Sequence, residues 1–465
     1  MTPQPSRSAD QPAPNRGEPR ELTLAVGAPA HGGHCVARPV DDPGGRVIFV
    51  RHALPGETVR ARLTEMTSRT WRADAVEILQ ASPDRVESVW PEAGPAGVGG
   101  GELAHVALDA QRTWKRWVLA DCLRRIGGQE VADAVAALPE ASAAAAVPIE
   151  PMPTDAAAQA SNSARRRALA GTATRTRVSL TVGEDGRPGM HAFRSGTVLP
   201  LRRLPLAVEA ITEIGLLERS RWRAHYRPGM RIEAIAPSSG EPVVLLDERL
   251  LTAQARSTGR RRVREVVDAS ALGLGELTYS VHAEGFWQVH VDAPRVLVER
   301  VVRGALGADL DGAAGSRVLE LYSGAGLFTL PLAALVGSDG EVVSLEGNEQ
   351  AVRDARRTLH DQPSARLASG RVSARSVREL AGSLTGGRPD VVVLDPPRQG
   401  AGREVIEAVG ALGAERIVLV ACDPAALARD LGTLLRSGYA LGSMSALDMF
   451  PHTHHFETIA VLERS

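Results

Sequence analysis

The chain has 465 residues, 43% of them hydrophobic, which is enough to bury several cores and predicts roughly two to four domains. Its 54 Lys+Arg against 55 Asp+Glu leave a formal net charge of −1, so no global charge drives it to nucleic acid or membranes, although local basic patches could still bind RNA. Its three cysteines, Cys35, Cys122 and Cys422, form no C-x-x-C pair, which argues against a zinc ribbon or disulfide scaffold and for a reducing, cytoplasmic compartment.

Residues 1–20 contain no apolar core and read as a disordered tail, neither signal peptide nor anchor. No run approaches the roughly 18 apolar residues of a membrane span, and no membrane partner is expected. Over residues 21–88 the pattern is short and β-like. In "RVIFVRHALPGETVRARLTEM" two strand runs are broken by Pro55-Gly56, and "RADAVEILQASPDR" adds another. A small β-barrel fits, either as a nucleic-acid carrier or as a module that only packs on its neighbour.

Residues 89–277 read as a mixed, central α+β domain. "DAQRTWKRWVLADCLRRIGG" has helical spacing, and Cys122 within it is most simply core. The Ala/Pro/Ser-rich tract at 137–164 is a low-complexity loop or linker. Arg175 and Arg177 alternate on a strand and share one face, which suits phosphate contact or plain solvation.

Residues 278–465 repeat apolar strands, polar corners and helices, which predicts an α/β domain with a parallel sheet and ligands at the carboxyl ends of its strands. In "ELYSGAG", Gly324 and Gly326 allow a sharp turn and close ligand approach, but Thr329 stands where a third dinucleotide-site glycine belongs. Glu346 ends the next strand and suits the two hydroxyls of a ribose. Turn and acid together describe a nucleoside site without a required pyrophosphate, which S-adenosylmethionine satisfies. Asp395 precedes Pro396-Pro397 and serves either as a cap or as a ligand group.

The fourth corner is "RIVLVACDPAALARDL". Asp423 is a good N-cap and Pro424 suits the first turn, so Cys422 precedes a helix N-terminus. It is either a small buried hydrophobe or a nucleophile whose pKa the helix dipole lowers. Glu457, inside an apolar run, is either a buried general base or an edge-strand residue facing water. His452, His454 and His455 have no cysteine or acidic cluster beside them in sequence, so turn and surface roles are expected and no metal site is assigned.

These corners, with "FWQVH" and "DMFPHTHHFETIAVLER", resemble the RNA 5-methyluridine (uridine-C5) methyltransferase family. The stretch "GAPAHGGHCVARPVDDPGGRVIFVRHALPGETVRARL" looks like that family's RNA-binding TRAM barrel. The resemblance implies a Rossmann-like class I methyltransferase domain, an N-terminal OB-like barrel and a central α+β domain. It also implies a monomer acting on tRNA or rRNA with S-adenosylmethionine. Carried over by position, Cys422 is the nucleophile and Glu457 the base, with Gln288, Tyr322, Glu346 and Asp395 contacting the cofactor. Many members hold an iron–sulfur cluster through four cysteines. Here Trp90, Val98, Gly101 and Leu204 occupy those places, so no cluster is expected. Ser376 stands where the resemblance implies an aspartate near the adenine. An RNA-binding paralogue with weakened or redirected methyl transfer is the alternative. A methyltransferase acting on a small molecule or protein amine is a third class.

Overall fold

The computed structural model describes residues 20–141 and 146–465, so the tail expected over 1–20 lies outside the described residues apart from Arg20. The chain forms two compact units, one comprising residues up to Ala30 with His34–Arg85, the other His31–Gly33 with Val86–Ser465.

The first unit is a closed barrel of five strands: Glu21–Ala30, His34–Pro39, Ile48–Arg51, Thr58–Met66 and Trp71–Gln80, with the fifth lying between the third and fourth. Alternate residues such as Leu24 and Val26, or Val59 and Ala61, point inward and are buried. Closure leaves no free strand edge. Glu57 accepts from the backbone N–H of Leu54 (2.8 Å) and Ser82 (3.1 Å) and pairs with Arg85, which fixes the turn after Pro55-Gly56.

The second unit is built on an eight-stranded sheet. Its strands are β1 (Ile149–Pro151), β2 (Arg317–Leu321), β3 (Glu341–Glu346), β4 (Ala365–Ser369), β5 (Val391–Leu394), β6 (Arg416–Ala421), β7 (Tyr439–Asp448) and β8 (Glu457–Arg464), in the order β4-β3-β2-β5-β6-β8-β7-β1. The run from β4 to β6 is parallel, and β8 enters antiparallel between β6 and β7. Period-two alternation splits each central strand between two cores. Val318, Val391, Val393 and Val418 join one, while Leu319, Val392, Leu394 and Leu419 join the other. At roughly 1.5–3 kcal/mol per buried aliphatic side chain, this double coverage stabilises the platform that presents the strand ends.

Helix α1 (Ala293–Leu306) covers the first face, and α2 (Pro424–Arg436), which follows β6, covers the second. The helix Leu108–Cys122 ends in a π-helical turn at Leu123–Gly127 and packs its Leu119 and Leu123 into the second core. Cys122 is buried.

Two readings of the 89–277 segment need correction. The tract at 137–164 is not merely a linker. Ile149–Pro151 is the edge strand β1, paired parallel with β7, and Pro153–Gln159 is helical, with buried Asp155 accepting from Gly171 N–H (2.9 Å) and contacting His290 (3.2 Å). Residues 142–145 lie outside the described residues. Arg175 and Arg177 are not solvated surface groups. Arg175 donates to Gly100 O (3.2 Å), and Arg177 donates to Ala283 O (3.3 Å) and Gly285 O (2.7 Å).

A separate six-stranded sheet spans Arg177–Thr252 and has its own core, which includes Trp90, Val98 and Leu204. A Cβ on Gly101 would lie 2.7 Å from Ala93 Cβ and 2.8 Å from the Trp90 ring. The four positions that the resemblance assigns to cluster cysteines are therefore packed hydrocarbon and glycine.

Candidate active site

Strand register aligns the polar corners. Leu321 of β2 pairs with Leu345 of β3 and Leu394 of β5, so Tyr322, Glu346 and Asp395 leave the sheet along one edge. Strand β6 runs to Ala421, and Cys422 follows. On antiparallel β8, Thr458 pairs with Ala421, which brings Glu457 to the level of Cys422. The Thr458 hydroxyl donates to Ala421 O (2.7 Å) and locks that register. A cavity of ≈ 1260 Å³ opens over this edge, and Gln288, Tyr322, Glu346, Asp395, Cys422 and Glu457 all line it.

At the first corner, Gly324 (φ 54°) and Gly326 (φ 87°) adopt left-handed backbone that glycine tolerates. Tyr322 also has positive φ (64°), local strain at a residue facing the cavity. Glu346 accepts from Gly324 N–H through Oε2 (3.0 Å) and from Asn348 N–H through Oε1 (2.6 Å). Each oxygen keeps another acceptor position, so the fixed carboxylate can take two vicinal hydroxyls. The glycine turn beside that carboxylate fits the nucleoside end of S-adenosylmethionine. The cavity exceeds the roughly 300–1,000 Å³ usual for one small ligand, which leaves room for a nucleobase as well. Ser376 closes a capping box with Ser373 at the start of the helix Ala374–Gly382, and its hydroxyl donates to backbone oxygens there.

Burial, then the Glu346 charge, pushes Asp395 up to about 7. Glu457 lies on an interior strand, buried at 6% exposure, so the water-facing alternative is excluded. Burial and the Asp395 charge push its pKa well above the usual carboxylate value, and only Arg398 opposes them.

Cys422 reverses the expectation of a lowered pKa. Its thiol is pushed up to about 12 by burial and by the Glu457 and Asp395 carboxyls, with Arg398 opposing. The N-terminus of α2 is capped by the Asp423 carboxylate, which accepts from Ala426 N–H (2.8 Å).

The histidines also depart from expectation. His452 is buried and bonded to Gln111, with its N–H donating to Gln111 Oε1 (2.7 Å). His454 Nδ1 contacts buried Glu102, and His455 lines the cavity. Among the further cavity residues, Phe286, Arg398 and Thr453 were given no role in the sequence reading, and His455 was expected at a turn or the surface. Phe286, Thr453 and His455 stand inside quoted motifs and Arg398 follows Pro396-Pro397, and the 74% exposure of the Phe286 ring is what singles it out.

Residues 276–465 match the family model described as tRNA (uracil-5-)-methyltransferase, and residues 18–76 match the TRAM domain. A Streptomyces avermitilis protein described as an uncharacterized RNA methyltransferase is 38% identical over 95% of this chain and 98% of its own length. The chain belongs to the tRNA (uracil-5-)-methyltransferase family. Another relative of this uracil-5-methyltransferase chain is the Acinetobacter baumannii 23S rRNA (uracil(1939)-C(5))-methyltransferase RlmD, 30% identical over 94% of this chain and 92% of its own. The Pyrococcus abyssi tRNA (uracil-54, C5)-methyltransferase, solved with S-adenosyl-L-homocysteine, shares the fold with a TM-score of 0.62 at 20% identity, covering 94% and 99% of the two chains. No helix among the described residues is long and apolar enough to cross a membrane.

Proposed function

We propose that this chain is an S-adenosylmethionine-dependent RNA methyltransferase that makes 5-methyluridine in tRNA or rRNA through a covalent adduct of Cys422. The observation that carries this reading is the convergence of Cys422, Glu457 and a nucleoside cradle on one cavity.

Bound S-adenosylmethionine supplies an electrophilic methyl group on a sulfonium. Glu346, Tyr322, Gln288 and Asp395 hold and orient it. C5 of uracil is a poor nucleophile, and the reading assigns Cys422 to correct that. Its thiol gives up its proton to solvent, the thiolate Sγ bonds to C6, the C5–C6 π pair moves toward C5 and O4, and the resulting enolate carries the nucleophilic carbon. That carbon would take the methyl group as the S–CH3 bond breaks, its electron pair staying on sulfur and S-adenosylhomocysteine leaving, after which ionised Glu457 takes the C5 proton. The C–H pair restores the double bond, and the Cys422 sulfur leaves as thiolate. The burial that raises the proton affinity of Glu457 makes it a strong base for that abstraction once it is ionised. Arg398, the cation opposing the raised pKa of both Cys422 and Glu457, favours their ionised forms during the cycle. The target base turns out of its stack to enter, and Phe286 offers a stacking face at the rim.

The test is transfer of labelled methyl from the cofactor to total RNA of a strain lacking this chain, followed by digestion to nucleosides. Label in 5-methyluridine alone is expected, and mapping it separates tRNA from rRNA. Label confined to another nucleoside, or to protein, contradicts the reading.

A further inference from the structure

Beside the catalytic pair lies a second cluster that the methyl-transfer reading does not use. One ligand atom from each of Glu102, His454 and His455 lies within 4.8 Å of the other two. Glu102 is buried at 8% exposure and 352 residues from its partner His454, so folding alone assembles the group. The two imidazoles stack with ring centroids 3.9 Å apart at 37°.

We propose that Glu102, His454 and His455 form a three-ligand site for a zinc-class divalent cation in the wall of the active-site cavity. Two imidazoles and one carboxylate with a fourth position open is a donor set that zinc accepts. The frame around the ligands is fixed without them. Leu103 N–H, next to Glu102, donates to His452 O (3.0 Å), and buried Gln111 accepts from His452 N–H (2.7 Å) while its amide donates to Leu103 O (3.2 Å). These bonds hold the Glu102 loop against the segment carrying both histidines, leaving little to organise on binding.

His455 lines the cavity, so the open position can take water or a substrate oxygen. Metal binding would tie the Glu102 loop to the segment that leads, two residues beyond His455, to Glu457.

The test uses the full chain stripped with chelator and titrated with cobalt(II), read by its visible absorption. One equivalent with the intensity of four-coordinate cobalt is expected, displaced by zinc, and zinc should raise the melting temperature. Glu102→Gln and His454→Gln, folded by circular dichroism, should each weaken cobalt binding at least about tenfold. Absence of a saturable one-equivalent signal in the wild-type chain overturns the proposal. So does titration of both variants like wild type, which would leave the cluster as a hydrogen-bonded tether.

Discussion

Cys422 shows how a residue's chemistry is set by neighbours that the local sequence does not reveal. Its strand-to-helix corner is legible from Asp423 and Pro424, and that corner alone predicts an acidic thiol. The folded surroundings add burial and two carboxyls, and the thiol rises to about 12 instead. The free protein therefore holds Cys422 protonated at neutral pH, and thiolate must form as the substrate complex assembles. Below a pKa near 12 the thiolate fraction rises about tenfold per pH unit. Alkylation of Cys422 by iodoacetamide in the free protein, followed by mass spectrometry, should thus climb about tenfold per unit from pH 7 to 9. A plateau by pH 8 would mean that the helix N-terminus prevails over the carboxyls.

Among the elements, those with local signals were legible. The glycine turn at Gly324, the paired prolines after Asp395 and the apolar runs of β2, β3, β5 and β6 each declare themselves, and their register follows from parallel pairing. What was not legible depends on distant partners. Strand β1 is three residues in an Ala/Pro-rich tract and is a strand only because β7 offers it an edge. Glu102 meets His454 across 352 residues. The interior place of β8, which buries Glu457, comes from its insertion between β6 and β7. The loop around Gly101 is an element where absence of a side chain is required, since a Cβ would meet Ala93 and the Trp90 ring below 3 Å. Gly101→Ala should destabilise the chain by about 1–3 kcal/mol through overpacking, read as a lower denaturation midpoint at unchanged slope. An unchanged midpoint would show that Trp90 moves aside freely.

At the scale of the whole molecule, two cores cover the two faces of one sheet, and the strand ends are held where the cavity opens. The residues proposed as cofactor cradle, nucleophile and base come from five different strand ends and a preceding loop, so the proposed methyl transfer rests on the assembled sheet and not on one motif. The central claim is that Cys422 bonds covalently to the target base. Fluorine at C5 leaves no proton for Glu457 to take, so elimination of the cysteine is blocked after methylation. RNA containing 5-fluorouridine, incubated with the chain and S-adenosylmethionine, should give a protein–RNA adduct stable on a denaturing gel. Cys422→Ala should abolish it, while Glu457→Gln should still form an adduct. An adduct that survives Cys422→Ala, or no adduct on an RNA that the wild-type chain methylates, would contradict the account.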